Sequence, residues 1–163
     1  MAAVRRAVES APALGIGCMT LYAFSFDNWR RPPDEVQSIF WLLRAYLRLE
    51  CERPKDRGVH LEVIGRRDRL PHGLRREIER AEHATRQRRV LHLRVAIDYS
   101  SRDAITRAAV GAFRALSLHD RSSEERLRSL LAGTLVADGG EVDLLIRTGG
   151  EKRLSDFLLW ESA

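Results

Sequence analysis

The sequence predicts an α/β fold: a mostly parallel sheet with helices on both faces. Short apolar runs typical of strands alternate along the chain with longer segments whose apolar residues recur at helical spacing. Strands that alternate with helices favour parallel pairing through right-handed crossovers. The chain has 163 residues, 44% hydrophobic and 31% charged, which fits a single domain spanning 1–163.

The first half predicts two helices and two strands. A short helical pattern ends at Pro12, and the apolar run 16–24 is strand-like. Pro32 and Pro33 open a long helix that ends at Pro54. Residues 59–63 alternate apolar and polar before Gly65, as in a strand. The apolar face of the long helix consists of Val36, Ile39, Phe40, Leu43 and Leu47.

The second half repeats the alternation of helices and strands. Pro71 starts a helix, the run 90–97 predicts a strand, and residues 101–116 predict another helix. Ser122 with Glu125 forms a capping-box pattern before a fifth helical segment. Residues 142–146 are apolar and predict a last buried strand. The helix after Pro71 carries its apolar face on Leu74, Ile78 and Ala81.

Polar connections follow the carboxyl ends of the predicted strands. They are residues 25–31, 65–69, 99–103 and 147–155. In a parallel sheet these ends share one edge, where the ligands of such folds bind. The sequence therefore predicts that four separate segments converge on one candidate site.

Segment 147–155 has the composition of an anion site. Arg147 and Arg153 offer planar guanidiniums for phosphate oxygens, and Ser155 can donate a hydroxyl. Gly149 and Gly150 allow the backbone to approach an anion. The alternative is a turn that carries two surface arginines.

Segment 24–33 sets aromatic side chains beside a hydroxyl, an amide and cations. This combination suits a wall for an apolar ligand with a polar head. The alternative is a helix-entry loop in which Trp29 is a packing anchor.

The overall charge does not select a partner. The formal net charge of +5 comes from 28 Lys and Arg scattered among 23 Asp and Glu, so no basic stripe predicts nucleic-acid binding. Two cysteines and five histidines lack metal-ligand spacing, and a reducing cytoplasm suits the two thiols. No run reaches the roughly 18–20 apolar residues of a membrane span.

In order, separation and residue type, three segments resemble the cis-prenyltransferase family of the undecaprenyl diphosphate synthase type. They are Leu21–Val36, with its Ser25 and Asn28-Trp29-Arg30-Arg31-Pro32; Val63–Pro71, with Ile64-Gly65; and Asp143–Trp160, with Arg147-Thr148-Gly149-Gly150-Glu151. The resemblance runs over nearly the whole chain.

The resemblance implies an isoprenyl transferase that condenses an allylic diphosphate, such as farnesyl diphosphate, with isopentenyl diphosphate in cis. It also implies Mg²⁺, a homodimer, a cytoplasmic location and a lipid product that brings the enzyme to the membrane surface. Asn28 takes the catalytic position, where a positioning role suits an amide better than a base. The long helix would wall a tunnel for the growing chain. The implied substrate-binding residues are Phe24, Ser25, Phe26, Asp27, Trp29, Arg31, Arg147, Arg153, Leu154 and Ser155.

The chain also departs from the family pattern. The family's opening D-G-N-G-R-W loop and closing E-L-Y-F and W-P segments have no match, so we expect an incomplete domain whose Mg²⁺ carboxylates lie outside the chain. A catalytically inactive fragment or a non-catalytic subunit is the alternative function. Within the matched segments, Phe26 replaces a small hydroxyl residue, Asp27 replaces Glu, and Asp98 with Ser100-Ser101 replaces the frequent Asn and Gly-Gly.

Overall fold

The computed structural model describes residues 2–52, 58–116, 123–135 and 140–163. The chain divides into two compact units, residues 1–99 and residues 100–163. The predicted helix end at Pro54 and the predicted cap at Ser122 lie outside the described residues.

The first unit contains three helices and three strands in the predicted order. Helix α1 (Ala2–Ser10) and a 3₁₀ turn (Pro12–Leu14) precede β1 (Cys18–Ser25), which leads through a 3₁₀ turn (Phe26–Arg30) into α2 (Pro33–Glu52). Then follow β2 (Val59–Ile64), α3 (His72–Thr85) and β3 (Leu91–Tyr99). The sheet order is β1-β3-β2 with both pairings parallel, which confirms the predicted parallel α/β architecture.

Burial distinguishes the central strand from its neighbour β2. In β2 the residues Val59, Leu61 and Val63 are buried and alternate with half-buried ones, as predicted. In β3 every residue from Leu93 to Tyr99 is buried, including the charged residues Arg94 and Asp98. Because successive strand side chains lie on opposite faces, both faces of β3 are covered over this stretch.

The core of the first unit lies between the sheet and two helices. The predicted apolar faces of both helices are buried, with Ile39 only partly so. At about 25 cal/mol per Å² of apolar surface, this burial is the main term that holds the helices on the sheet. The buried helix residues are Val36, Phe40, Leu43 and Leu47 of α2 and Leu74, Ile78 and Ala81 of α3.

Side chains of helix α3 also accept hydrogen bonds from backbone N–H groups on the outer edge of β2. The Leu61 N–H donates to Thr85 Oγ1 at 3.0 Å, and the Val63 N–H donates to Glu82 Oε1 at 2.8 Å. Arg67, in the connection between β2 and α3, donates to the Val63 carbonyl at 2.9 Å. These bonds occupy backbone groups of an edge strand that would otherwise be open to another chain.

The second unit contains α4 (Ser101–Ala115), α5 (Glu124–Leu135) and a C-terminal segment of turns. Ser100 caps α4, because its Oγ accepts the Asp103 N–H at 3.1 Å. At the start of α5 the Ser123 Oγ accepts the Arg126 N–H at 3.3 Å.

The predicted strand over residues 142–146 is wrong. The segment has no strand assignment, and Leu144 and Ile146 are 74% and 75% exposed. A strand requires a hydrogen-bonded neighbour, and the described part of the chain provides no strand ladder for this segment. The Val142 N–H donates instead to the Glu161 carbonyl at 2.8 Å, which ties the segment to the C-terminal turns.

Gly65, immediately after β2, provides a test of this packing. Its φ is +111°, and a Cβ there would lie 2.2 Å from the Ile97 carbonyl oxygen. Gly65→Ala should therefore lower the free energy of unfolding by more than about 1 kcal/mol. Urea denaturation followed by circular dichroism measures the loss. Gly17→Ala, where a Cβ meets nothing within 4 Å, is the matched control; equal stability of the two variants would contradict the steric argument.

Candidate functional site

In the first unit, the connections after β1 and β2 meet the end of β3 at a buried carboxylate. The Asp98 side chain is 0% exposed, and its backbone adopts a left-handed φ of 52°. It accepts the indole N–H of Trp29 at 2.9 Å and the Nε–H of Arg69 at 2.9 Å, and Arg69 Nη2 completes a two-pronged pair. The predicted connections 25–31 and 65–69 therefore meet at the end of β3, whereas the convergence of all four connections on one site stays a prediction.

The strand register changes where this site forms. Phe24 of β1 pairs with Ile97 and Ser25 pairs with Tyr99, so Asp98 is an additional residue on β3. One step earlier the irregularity lies on β1, between Tyr22 and Phe24. Bulges of this kind change the direction of side chains at strand ends, frequently beside functional sites.

Aromatic rings surround Arg69. Its guanidinium lies 4.3 Å from the ring centroid of Phe26 and 5.3 Å from that of Trp29. Trp29 also makes edge contacts with Phe24 at 5.4 Å and Phe40 at 5.5 Å. Phe24 is fully buried, whereas Phe26 is 39% exposed. Trp29 is thus a packing anchor that remains partly exposed, and Phe26 is the more exposed of the two rings.

Asn28 has a definite local role. Its Oδ1 accepts the backbone N–H of Ser25 at 2.8 Å, as the third residue of a capping box does. The amide oxygen is therefore already engaged, which suits a positioning role and not proton removal. The other polar residues of this turn, Asp27 and Arg31, form exposed ion pairs with Arg30 at 3.8 Å and Glu35 at 3.3 Å.

In the second unit, the predicted anion-binding residues gather around a carboxylate. Arg147 Nη1 donates to Ser155 Oγ and to the Arg153 carbonyl, both at 2.7 Å, and Nη2 bonds to Glu151. Arg153 donates Nε and Nη2 to the two Glu151 oxygens at 2.9 and 3.0 Å. We call Arg147, Glu151, Arg153 and Ser155 the arginine cluster.

The backbone beside the arginine cluster is open. A Cβ at Gly149 or Gly150 would meet nothing within 4 Å, and Gly150 has a φ of +74°. Leu154 is 44% exposed. Segment 147–155 is therefore an exposed turn in which Arg147 and Arg153 lie together around Glu151, and anion binding there stays a prediction.

The role of Glu151 did not emerge from the sequence. The sequence motif includes Glu151 without a role of its own, whereas in the structure Glu151 bridges both guanidiniums. The available signal was charge spacing, since a Glu four residues after one Arg and two before another can reach both.

The unusual pair Ser100-Ser101 has a structural explanation. Ser100 caps α4, and the buried Ser101 Oγ accepts the Leu159 N–H at 2.8 Å. Both hydroxyls serve local structure within the second unit.

Within the described ranges, no group of three or more His, Cys, Asp or Glu side chains could hold a metal ion. None of the helices described is long and apolar enough to cross a membrane.

Comparison with known proteins gives a family match over the whole chain. The family model described as "Putative undecaprenyl diphosphate synthase" matches residues 1–163. The isoprenyl transferase 1 of Bradyrhizobium diazoefficiens is 55% identical over 160 residues, which are 98% of this chain and 63% of that protein. A geranylgeranyl-diphosphate-specific tritrans,polycis-undecaprenyl-diphosphate synthase of Archaeoglobus fulgidus is 40% identical, over 92% of this chain and 61% of its own length.

Two solved structures share the fold. The probable undecaprenyl diphosphate synthase of Campylobacter jejuni superposes with a TM-score of 0.82 at 36% identity, over 97% of this chain and 72% of that one. Lavandulyl diphosphate synthase of Lavandula x intermedia, solved with dimethylallyl diphosphate, gives a TM-score of 0.80 at 29% identity, over 94% and 67%. The chain thus spans a little under two thirds of the curated relatives quoted above.

The arginine cluster yields a charge test. In Glu151→Gln the carboxylate no longer competes for the two guanidiniums, so inorganic pyrophosphate should bind up to about fivefold more tightly, the scale of an exposed ion pair. Isothermal titration calorimetry measures the affinity. Glu124→Gln, which breaks the exposed pair with Arg128 in the same unit, should change nothing. Weaker binding in Glu151→Gln would mean that Glu151 holds the arginines in place for the anion.

Proposed function

We propose that this chain, which belongs to the undecaprenyl diphosphate synthase family of cis-prenyltransferases, condenses an allylic diphosphate such as farnesyl diphosphate with isopentenyl diphosphate in cis. The product would be a polyprenyl diphosphate. The names of the relatives support prenyl transfer, and the two units supply the residue types that such a reaction uses.

The arginine cluster is the observation that carries this proposal. Two guanidiniums already hold a carboxylate, and one of them also donates to the Ser155 hydroxyl. A diphosphate offers the same bidentate acceptors with more charge. We therefore propose that Arg147, Arg153 and Ser155 bind the diphosphate of isopentenyl diphosphate, with Leu154 beside its carbon chain. The incoming diphosphate would displace Glu151 from the two guanidiniums.

We propose that the turn after β1 lines the reacting centre. The allylic C–O bond ionises, the double bond of isopentenyl diphosphate attacks the cation to form the new C–C bond, and a proton leaves to pyrophosphate or water. Aromatic faces stabilise a carbocation through their quadrupoles, which suits Phe26 and Trp29. Asn28 and Ser25 would position the reactants. Asp27 and Arg31 would lie beside the polar head of the bound substrate.

Magnesium is the metal that we propose from the family, to neutralise the departing diphosphate. The described residues contain no cluster that fits it, so this proposal assigns it no ligand within them. We likewise propose a homodimer in the cytoplasm, with a lipid product that draws it to the membrane surface.

The direct test is the loss of anion affinity. Arg147→Ala and Arg153→Ala should each weaken binding of isopentenyl diphosphate by about 1.5–3 kcal/mol, the range for hydrogen bonds to charged groups. Calorimetry measures the affinities, and circular dichroism checks the fold. The control is Arg128→Ala, whose guanidinium pairs with Glu124 on the exposed surface of α5. Unchanged affinity in both cluster variants would remove the cluster from the site.

A further inference from the structure

Asp98 is the buried charge on which the first unit's site is assembled. A carboxylate with 0% exposure is costly to bury unless hydrogen-bonded cations and donors surround it. Here Arg69 supplies two donors and Trp29 a third. The left-handed backbone at Asp98, with φ 52°, belongs to a region that Asp and Asn tolerate better than most residues.

The same guanidinium connects Asp98 to the exposed part of the site. Arg69 is held by Asp98 on its edge, while its face lies 4.3 Å from Phe26 and 5.3 Å from Trp29. Its side chain is 32% exposed, so the cation is shielded but not enclosed. We call Asp98, Arg69, Phe26 and Trp29 the Asp98 clamp.

Phe26 and Asp98 are therefore physically coupled through this guanidinium. Phe26 and Asp98 lie far apart in sequence, and both contact the guanidinium of Arg69. A neutral amide at position 98 could accept from Trp29 but could not pair with the Arg69 charge, and a small residue at position 26 would offer it no ring.

We propose that Asp98 is a positioning residue for the allylic substrate: it fixes Arg69 against Phe26 and fixes the Trp29 indole, so that the two rings form a preformed wall for the prenyl chain. Preformed walls favour binding because no side-chain freedom is lost when the ligand arrives. The inference rests on the proposed function, since it assumes that this turn meets an allylic substrate.

A pair of variants separates positioning from stability. Asp98→Asn keeps an acceptor for Trp29 but leaves Arg69 without a counter-charge, so it should lower both stability and affinity. The double variant Asp98→Asn with Arg69→Met removes both charges, and such replacement of a buried pair commonly restores stability. The double variant does not restore the Asp98 clamp, because no guanidinium remains to hold the Phe26 and Trp29 rings in place.

The control is a neighbouring ion pair in the same connection. Arg66 donates Nε to Asp68 at 3.0 Å in a two-pronged pair of the same type, but the Asp68 side chain is 59% exposed. The Arg66 hydrogen bond lowers the pKa of Asp68 to about 2, so this carboxylate is charged at neutral pH just as the control requires. Asp68→Asn should leave the affinity for farnesyl diphosphate unchanged, and because its ion pair is exposed it should lower the melting temperature less than Asp98→Asn does.

The experiment measures the affinity of each protein for farnesyl diphosphate and for inorganic pyrophosphate by calorimetry, beside its melting temperature. Asp98→Asn and the double variant should both bind farnesyl diphosphate about tenfold more weakly. Pyrophosphate, which has no prenyl chain, should bind within about twofold of the wild type. The melting temperature should fall in Asp98→Asn and recover in the double variant.

The alternatives give different results. Recovery of farnesyl diphosphate affinity together with the melting temperature would show that Asp98 acts on stability alone and would overturn the inference. An equal loss for pyrophosphate would overturn it as well, because the effect would then be on charge and not on the prenyl wall. A wild-type chain that binds pyrophosphate but no farnesyl diphosphate would refute the allylic site of the proposed function, and the inference with it.

Discussion

The buried charge of Asp98 is the constraint on which the first unit depends. A carboxylate that has lost all contact with water must recover its hydrogen bonds from the protein. The donors come from the turn after β1, through Trp29, and from the connection after β2, through Arg69. Two loops with no sequence relationship to each other are thereby held at the end of β3. The geometry of the candidate site follows from this electrostatic requirement as much as from the hydrophobic core.

The backbone around Asp98 also brings hydrogen-bond donors to the buried carboxylate. The register between β1 and β3 changes at Phe24 and again at Ser25, which makes room for Asp98 as an additional residue. Gly65 passes so close to the Ile97 carbonyl that no side chain fits, and the Arg66 N–H donates to the Asp98 carbonyl at 3.1 Å. These contacts hold the connection after β2 close to β3. Arg69, which lies in that connection, can therefore bond to the Asp98 carboxylate.

Local patterns predicted the helices and strands of the first unit, because proline boundaries and apolar periodicity are properties of short segments. They failed at residues 142–146, since an apolar run becomes a strand only beside a partner that the run itself does not specify. Sequence motifs identified Arg147, Arg153 and Ser155 as candidate anion-binding residues. The bridging of the two arginines by Glu151 depends on the path of the turn, which the motifs do not specify. The pairing of Asp98 with Arg69 was equally inaccessible, since 29 residues separate them and only the folded sheet edge brings them together.

Each unit contains a carboxylate that is paired with arginine. The two carboxylates differ in exposure, so the two sets of ion pairs differ in strength. Asp98 is fully buried, so removing its partner would leave an uncompensated charge in the protein, and the pair is a permanent part of the fold. Glu151 is 46% exposed, where water screens the ion pairs and makes each worth little. A weakly held internal carboxylate can be replaced by a stronger anion, whereas a buried one cannot leave. The first arrangement is therefore a fixed part of the fold, whereas the second holds its two cations to a carboxylate only weakly.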